Sequence, residues 1–243
     1  LIEQYISDEG RYPEAVGIVF WAGSNMRSHG QCIAELFYLM GVRPIWLRPS
    51  QRVCGLEIIP IAELQRPRID VTARISGLFR DAVPNAVHWV DEAVRMVRDL
   101  DESDEENYVR KHVLADTAWL EEQGEARESA WERASVRIFG DPPGAYGAGI
   151  GDLLESKAWE TLDDLAAVYT RFSGTAYGGD GFARGYDPEV FQRRMAGLDV
   201  TVKNEDTRET HMFSSDDYNA YHGGMIATVR ALTGKAPRSY TGD

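Results

Sequence analysis

The chain has 243 residues, a net charge of −13 at pH 7 and a hydrophobic fraction of 43%. That length is sufficient for a substantial core in one large domain or two small ones. The acidic balance argues against a nucleic-acid-binding protein, which would carry a basic surface. No apolar run approaches the ~20 residues that span a bilayer. An anionic substrate would need a local cluster of arginines that works against the negative field.

The two cysteines, Cys32 and Cys54, lie in separate apolar segments and form no CxxC motif. Two cysteines in this length do not suggest a secreted disulfide scaffold, so we expect buried free thiols in a reducing cytoplasm. Residues 1–4 do not resemble the basic start of a signal peptide. Because the sequence begins without Met and stops soon after a strand-like segment, we expect it to be an excised region of something larger.

The first part of the chain predicts a strand, a helix and a second strand. Residues 15–21 form a continuous apolar run, which is typical of a strand buried on both faces. A loop at 22–30, a helix at 31–40 that stops at Gly41, and a strand at 42–47 follow. Together they predict a βαβ unit. The Gly-Ser-Asn turn in the loop matches neither glycine-rich phosphate motif, so we do not interpret it as a nucleotide site.

The rest of the chain continues this alternation. Further strands are predicted at 70–75, 134–139 and 198–202, with an extended segment at 53–61 and a last strand or tail from 238. Helices are predicted at 85–100, 107–123, 125–131, 152–158, 161–171, 188–196 and 219–232. The pattern predicts an α/β fold, a three-layer, mostly parallel Rossmann-like or flavodoxin-like sheet with helices on both faces. We expect one domain over 1–243, with glycine-rich loops and short helices at 140–185 as an insertion.

Several distinctive loops follow predicted strands, at the edge where ligands bind in α/β sheets. Residues 140–151 contain five glycines and two prolines, which excludes a helix or an ordinary strand. This segment is either a loop whose backbone approaches a flat ligand, with Tyr146 available to stack, or a plain connector. A second glycine-rich loop is predicted at 175–185.

The late stretch 202–225 carries two of the five histidines, His211 and His222, together with five carboxylates. Imidazole and carboxylate groups are ligands that borderline divalent metals such as cobalt accept. The alternative is a solvated acidic loop in which Asp216 and Asp217 only cap the next helix.

Ordered sequence blocks cover essentially the whole chain. The most distinctive is RPRIDVTARISGLFRD at 66–81. Other blocks lie at 23–27, 137–140, 143–149, 159–160, 176–178, 202–206, 215–218 and 222–225. Together they resemble the large subunit of aerobic cobaltochelatase and its relative, the H subunit of magnesium chelatase. That subunit is several times longer, so the chain resembles one internal region toward its C-terminal part. The block at 222–225 is similar to the cobalt branch.

The resemblance implies ATP-dependent insertion of a divalent metal into a tetrapyrrole. In the cobalt branch this is cobalt insertion into a corrinoid of the hydrogenobyrinic acid a,c-diamide type, in cobalamin biosynthesis. The large subunit holds the macrocycle and the metal. An AAA+ ATPase subunit and a second small chelatase subunit supply ATP hydrolysis, which this chain does not perform. The alternatives are a magnesium chelatase H-type porphyrin-binding subunit, or a non-catalytic scaffold region that docks the ATPase subunits. We expect the isolated chain to be inactive.

The implied chemistry directs attention to the late stretch. Metal insertion strips water from the ion and removes two pyrrole protons, and a neutral imidazole with carboxylates can do both. We therefore predict His222, Glu205 and Asp206 as catalytic residues, and His222, Glu205 and His211 as metal ligands. His222 is preferred because it lies inside a matched block and His211 does not.

The macrocycle would carry several carboxylates. Arg74 and Arg80, with Arg68 as a further candidate, could grip them by bidentate hydrogen bonds. The alternatives are a salt bridge at the sheet edge for Arg74 and a pair with Asp81 inside the loop for Arg80.

The remaining predicted substrate-binding residues are Ser76, Tyr146 and Tyr221. Tyr146, Tyr177 and Tyr221 could stack on the ring plane. A core role is the alternative for each of these tyrosines.

Overall fold

The structure is a computed structural model that describes residues 1–179, 182–205 and 214–242. Its strands are β1 (Ala15–Phe20), β2 (Val42–Leu47), β3 (Arg52–Ile58), β4 (Asp70–Ile75), β5 (Ile138–Gly140), β6 (Thr175–Gly178), β7 (Phe182–Tyr186), β8 (Val200–Asn204) and β9 (Arg238–Gly242). The helices before β5 are α1 (Ile2–Glu9), α2 (Ala22–Arg27), α3 (Gln31–Met40), α4 (Ile61–Leu64), α5 (Gly77–Ala82), α6 (Pro84–Arg98), α7 (Tyr108–Glu122) and α8 (Arg127–Ala134). Those after it are α9 (Ile150–Ser156), α10 (Leu162–Ser173), α11 (Pro188–Ala196), α12 (Asp216–Tyr218) and α13 (Gly224–Thr233). A π-helical turn, Asn219–Gly223, joins α12 to α13.

A seven-stranded sheet in the order β7-β6-β5-β4-β1-β8-β9 forms the centre. Neighbouring strands from β5 to β9 in this order run parallel, and β6 and β7 are antiparallel at the other edge. In the central strand β1, Val16 pairs with Val71 of β4 and with Val200 of β8. The predicted mostly parallel sheet is confirmed.

Helices cover both faces of the sheet, so the predicted three layers are confirmed. Along β1, Ile18 points into one apolar core and Val19 into the other, as the two-residue period of a strand requires. The first core is completed by α3 and α6, where Val87 and Val90 of the predicted apolar stripe are buried. The second is completed by α10, α11 and α13.

The strand at 42–47 does not belong to the central sheet, so the predicted βαβ unit is wrong in its last element. β2 pairs antiparallel with β3 in a separate two-stranded hairpin, and the crossover from β1 through α3 reaches β4 instead. Most side chains of β2 are exposed or half-buried, so its apolar residues do not reflect a buried position. Arg68 fastens the base of the hairpin: its Nη1 donates to Gly41 O at 3.0 Å and its Nη2 to Ile59 O at 2.8 Å.

The glycine-rich segment at 175–185 contains strands, whereas a loop was predicted. β6 pairs with β5 and β7 with β6, so this segment extends the sheet. Close packing explains the glycine at 178, because a Cβ there would lie 2.6 Å from Arg184 Nε and 2.7 Å from Asp91 Oδ1. Glycine content alone therefore misrepresented a tightly packed hairpin as a loop. The boundaries expected for one domain over 1–243, and for the insertion at 140–185, stay predictions.

Both cysteines are free. Cys32 is buried as expected, but Cys54 is exposed, because it lies in the hairpin outside the main core. None of the helices in the described ranges is long and apolar enough to cross a membrane.

A buried ion cluster closes the amino end of β4. Asp70 Oδ1 lies 2.7 Å from Arg137 Nε, and its Oδ2 lies 2.5 Å from Arg194 Nη2 and 2.8 Å from His112 Nδ1. Burial by itself raises the pKa of the Asp70 carboxyl, but Arg137, Arg194 and His112 outweigh it and hold that pKa below its ordinary value. This end of the strand is therefore held by matched charges.

Candidate functional site at the carboxyl edge of the sheet

The carboxyl ends of β1, β4, β5 and β8 open onto one edge of the sheet, because these strands are parallel. The segments that follow them are α2, α5, the loop at 141–149 and the stretch that begins at Glu205. The structure thus brings together the segments that carry most of the predicted site residues. This edge is where an α/β sheet offers a ligand site.

Arg74 lies at the end of β4 with its guanidinium group inside the protein. Its Nη2 is 2.6 Å from Asp141 Oδ1, and both side chains are fully buried. Its Nε and Nη2 donate to Ser173 Oγ at 3.1 and 2.8 Å, and its Nη1 donates to Ile75 O at 2.8 Å. The guanidinium also lies over the ring of Tyr221, 4.3 Å from its centroid. The alternative expected for Arg74, a salt bridge at the sheet edge, is therefore the arrangement found.

Asp141 joins three segments of this edge. Its Oδ2 accepts hydrogen bonds from Gly77 N at 2.8 Å, from Gly147 N at 3.1 Å and from the Tyr221 hydroxyl at 3.3 Å. A Cβ at position 77 would lie 2.6 Å from Ala145 O, so glycine is needed for this close approach. The glycine-rich loop is thus braced, not a plain connector. Sequence reasoning missed Asp141, although a carboxylate directly after a strand at this edge was a usable signal.

Arg80 and its neighbours form the outer part of this brace. Its Nε and Nη2 form ion-paired hydrogen bonds with Asp81 at 2.6 and 2.8 Å, and its Nη1 donates to Pro142 O at 2.8 Å. The Tyr146 hydroxyl donates to Asp81 Oδ2 at 2.6 Å. The hydrogen bond to Asp81 raises the pKa of Arg80 above its ordinary value. The alternative expected for Arg80, a pair inside the loop, is found, and Ser76 caps α5 by accepting from Phe79 N.

Three large apolar side chains are exposed along the same edge. Met26 of α2 is 52% exposed, Leu78 of α5 is 51% exposed and Tyr146 of the braced loop is 66% exposed. α2 and α5 pack against each other. A single exposed apolar side chain is ordinary, but several at one edge indicate a contact surface. We call Met26, Leu78 and Tyr146 the apolar rim.

Lys203 stands at the end of β8 beside Glu205. Its Nζ is 2.8 Å from Glu205 Oε2, and its side chain is buried. The ammonium group also lies 4.9 Å from the ring centroid of Tyr218 and 6.0 Å from that of Trp21, a geometry that favours cation–π attraction. Glu205, predicted as a ligand and a base, is therefore paired with a cation that sequence reasoning missed.

His222 occupies the π-helical turn at the start of the last helix. Its side chain is 1% exposed. The Nε2 atom lies 3.1 Å from Thr201 Oγ1, and the buried Nδ1 atom has no hydrogen-bond partner among the described residues. Burial, with a smaller effect from the charge of Lys203, lowers the pKa of His222 to about 4. The imidazole is therefore neutral at pH 7, and π-helical turns often mark functional positions.

The predicted metal-ligand set is incomplete in the described part of the chain. Within 1–179, 182–205 and 214–242, no three His, Cys, Asp or Glu side chains are placed to hold one metal ion. Asp206 and His211 lie outside the described residues. The ligand set His222, Glu205 and His211, and the catalytic role of Asp206, stay predictions.

The other aromatic and basic candidates are interior side chains. Tyr221 is buried, with its hydroxyl on Asp141 and its ring against Trp21. Tyr177 is buried as well and donates to Asp141 O. Arg68 precedes β4, at the opposite edge of the sheet, and its Nε pairs with Glu102 at 2.7 Å. Of the three candidate tyrosines, Tyr146 alone offers its ring to solvent.

The structure is a mostly parallel α/β domain, and its carboxyl edge, with a braced loop and an apolar rim, is the position at which such sheets offer ligand sites. The sequence profile described as CobN/Magnesium Chelatase matches residues 1–243, and the chain belongs to that family. The resemblance found in the sequence is confirmed.

Individual relatives agree with this assignment. The chain is 43% identical over 246 residues to the aerobic cobaltochelatase subunit CobN of Pseudomonas aeruginosa, covering 100% of the chain and 19% of that protein. It is 32% identical over 251 residues to the chloroplastic magnesium-chelatase subunit ChlH of Oryza sativa, covering 100% of the chain and 17% of that protein.

The fold is also that of a solved relative. The catalytic subunit of cobaltochelatase from Mycobacterium tuberculosis matches with a TM-score of 0.92 and 49% identity, over 99% of this chain and 20% of that one. The chain therefore spans about a fifth of the length of the relatives it matches.

Proposed function

We propose that this chain forms one wall of the tetrapyrrole and metal site in the large subunit of a cobaltochelatase. The subunit would insert cobalt into a corrinoid during cobalamin biosynthesis. Membership of the chelatase family supports metal insertion, and the higher identity to cobaltochelatases than to a magnesium chelatase supports cobalt. An AAA+ ATPase subunit and a second small chelatase subunit would supply ATP hydrolysis in the cytoplasm.

Two observations carry this proposal: an apolar rim at the carboxyl edge of the sheet, and a buried neutral imidazole in the turn before the last helix. A tetrapyrrole is flat, and its faces are apolar, so Leu78, Met26 and Tyr146 offer the surface that such a face would cover. The Nδ1 atom of His222 has no hydrogen-bond partner among the described residues, so it offers a lone pair that can accept a pyrrole proton or bind the incoming metal.

Access to that lone pair requires movement. The imidazole is 1% exposed and the Tyr218 ring stands edge-on to it, with 5.1 Å between ring centroids. The substrate must therefore displace covering side chains before Nδ1 takes part in the reaction. A site that encloses a macrocycle also needs walls from the remainder of the subunit. The isolated chain would therefore be inactive.

The two arginines take a different role in this proposal from the one predicted. Arg74 and Arg80 direct their donors to Asp141, Asp81 and backbone carbonyls. They therefore shape the wall and hold its loops instead of gripping macrocycle carboxylates. The Arg80 guanidinium is already bidentate to Asp81, so it gains little from exchanging that carboxylate for another.

The test is a substitution of His222 in the full-length subunit assembled with its partner subunits. His222→Gln keeps a polar side chain of similar size, and His88→Gln is a matched control because His88 is exposed on α6. We expect His222→Gln to bind the tetrapyrrole but to insert cobalt at least about 100-fold more slowly, the scale of lost acid–base catalysis. His88→Gln should retain activity. Full insertion activity in His222→Gln would refute the role of His222.

A second function, a scaffold that docks the ATPase subunits, is favoured by the exposed tip of the β2–β3 hairpin. Ile45, Trp46 and Leu47 are 45%, 54% and 54% exposed. Pull-down of the chain with the ATPase subunits and titration with the tetrapyrrole separate the two functions. Partner binding without tetrapyrrole binding favours the scaffold. Insertion of magnesium in place of cobalt by the full assembly would favour the magnesium branch.

A further inference from the structure

A groove separates the β2–β3 hairpin from the helices that cover this face of the sheet. Alternate residues of β2, namely Val42, Pro44 and Trp46, face α3 and the start of α6. Val42 at the base is 2% exposed, whereas Trp46 near the tip is 54% exposed. The space between hairpin and helices therefore opens from the base toward the tip. We call it the hairpin groove, and its lining includes Phe37, Pro44, Trp46, Val53, Pro84 and Trp89.

The groove has the size and the lining of a small-molecule site. Its volume is about 770 Å³, within the range of ~300–1,000 Å³ that such sites occupy. A second space of about 440 Å³ shares Trp46 and Gln51 with it and extends it to Arg48 at the tip. Two indole side chains, Trp46 and Trp89, border the groove, and their large apolar rings suit contact with another flat ring.

The charge of the groove is opposite to that of the chain. Among the described residues no Asp or Glu lines it, although the chain has a net charge of −13. Of its three arginines, Arg43 is already paired with Glu57 and Glu63, at 3.0 Å each. Arg48 and Arg52 are exposed and form no ion pair within the part of the chain that the structure describes. Two guanidinium groups without a counter-charge beside an apolar groove suit a ligand that carries carboxylates.

We propose that the hairpin groove recognises a flat apolar ring that bears carboxylates, and that its occupant is the tetrapyrrole substrate. The ring lies against Trp46 and Trp89. Arg48 and Arg52 hold its carboxylates by bidentate hydrogen bonds. This inference rests on the proposed function, which supplies the substrate class. It assigns to the hairpin the carboxylate contacts that the inward-turned arginines of the sheet edge do not make.

The position of the groove agrees with this assignment. His29, which follows α2, and Ala82, which ends α5, both line it. These two helices carry Met26 and Leu78 of the apolar rim. The hairpin therefore adds a charged wall next to the rim.

The first test measures binding to the full-length subunit by fluorescence quenching. The probes are hydrogenobyrinic acid a,c-diamide, which has free carboxylates, and the same ring with those carboxylates converted to carboxamides. We expect Arg48→Gln and Arg52→Gln each to weaken binding of the free acid about 10-fold, the scale of a lost hydrogen bond to a charged group. Binding of the carboxamide should stay at the wild-type level.

The control for this test is Arg127→Gln, which removes an exposed positive charge on α8 and should bind both probes like the wild type. Wild-type affinity for the free acid in the Arg48→Gln/Arg52→Gln double variant would overturn the proposal. So would a wild-type subunit that binds neither probe.

The second test compares two neighbours on β2. Trp46 and Leu47 are both 54% exposed, but only Trp46 faces the groove. We expect Trp46→Ser to weaken binding of both probes about 5- to 10-fold, because contact between rings does not depend on the carboxylates. Leu47→Ser should bind both probes like the wild type. Equal weakening by the two changes would contradict a site on the inner face of the hairpin.

The remaining outcomes separate this proposal from its rivals. If the double variant binds the corrinoid normally but loses the ATPase subunits in a pull-down, the groove holds a protein segment and the proposal is wrong. If the double variant binds the free acid normally while His222→Gln inserts no cobalt, the groove assignment is wrong and the proposed function stands. If the double variant loses affinity but the assembled wild-type enzyme inserts no cobalt, the groove stands and the proposed function is wrong.

Discussion

The two ends of β4 carry buried charges that are used differently. At the amino end, both oxygens of Asp70 face cationic partners, Arg137 and Arg194, in a cluster closed off from solvent. At the carboxyl end, the Arg74–Asp141 pair is also buried, but Asp141 holds together α5 and the loop at 141–149, which carry Leu78 and Tyr146 of the apolar rim. The first cluster only stabilises the fold, while the second also shapes a surface.

The largest expected effect is at the amino end. Asp70→Asn leaves Arg137 and Arg194 buried without their shared counter-charge, so we expect a loss of about 3–5 kcal/mol in the free energy of unfolding. Urea denaturation measures it. Glu57→Gln is the control, because its pair with Arg43 is exposed and such pairs contribute about 0–1 kcal/mol. A loss below about 1 kcal/mol for Asp70→Asn would contradict the role of the amino-end cluster.

At the carboxyl end, Asp141→Asn removes the charge partner of Arg74 but keeps an oxygen that accepts from Gly77 N. Arg74 is left as a buried cation without its carboxylate, so we expect a loss of about 3 kcal/mol together with weaker tetrapyrrole binding by the full-length subunit. Asp101→Asn is the matched control, because that carboxylate is fully exposed and lies away from this edge. Loss of stability without any change in binding would show that the brace does not shape the site.

The pH dependence of stability tests whether burial keeps His222 neutral. The pKa of His222 is lowered to about 4 in the folded chain, below the ordinary value of ~6.5 for the unfolded chain. The unfolded chain therefore binds the proton first. The stability that this group contributes is complete above pH ~6.5 and is lost as the pH falls toward 4.

Between pH 7 and 4.5, the free energy of unfolding should fall by about 2–3 kcal/mol through the His222 contribution. Urea denaturation of the wild type and of His222→Gln at several pH values measures it, because the variant lacks this contribution and its curve should be flatter. Parallel curves for the two proteins would show that the imidazole is not held neutral by burial.

The smallest effect is expected at the apolar rim. Leu78→Ser should leave the free energy of unfolding within about 0.5 kcal/mol, because the side chain is half exposed. It should weaken tetrapyrrole binding by the full-length subunit about 5- to 10-fold, as expected for lost apolar contact. Leu114→Ser on α7 is the control, and equal weakening by both changes would argue against a specific rim.

The sequence predicted the elements in which the spacing of apolar residues matches the burial found in the structure. The apolar run from Ala15 and the valine spacing at Val87 and Val90 gave a central strand and a packed helix where they were expected. The hairpin at β2 and β3 was misread, because an exposed strand can be as apolar as a buried one. The pair β6 and β7 was misread because its small residues permit close packing, which resembles loop composition.

The sequence predicted where the candidate site lies, but not which contacts its side chains make. Loops after parallel strands must share an edge, so their convergence followed from the strand order. Whether Arg74 reaches outward or inward depends on Asp141 and Ser173, which are distant in sequence. The same limit hid the contact of Thr201 with His222, whereas Lys203 is only two residues from Glu205 and could have been found in the local sequence. Such contacts between distant residues have no signature in the local sequence.

Arg68 ties together the two ends of the β2–β3 hairpin, whose base packs on the first core through Val42, Leu56 and Ile58 while its tip is exposed. One guanidinium holds the chain where it leaves, at Gly41, and where it returns, at Ile59. The distance between these points is therefore set without the hairpin. Residues can be added or removed at the tip near Trp46 without altering the register of β1 against β4, so this is the position where an affinity tag or a reporter domain can be inserted.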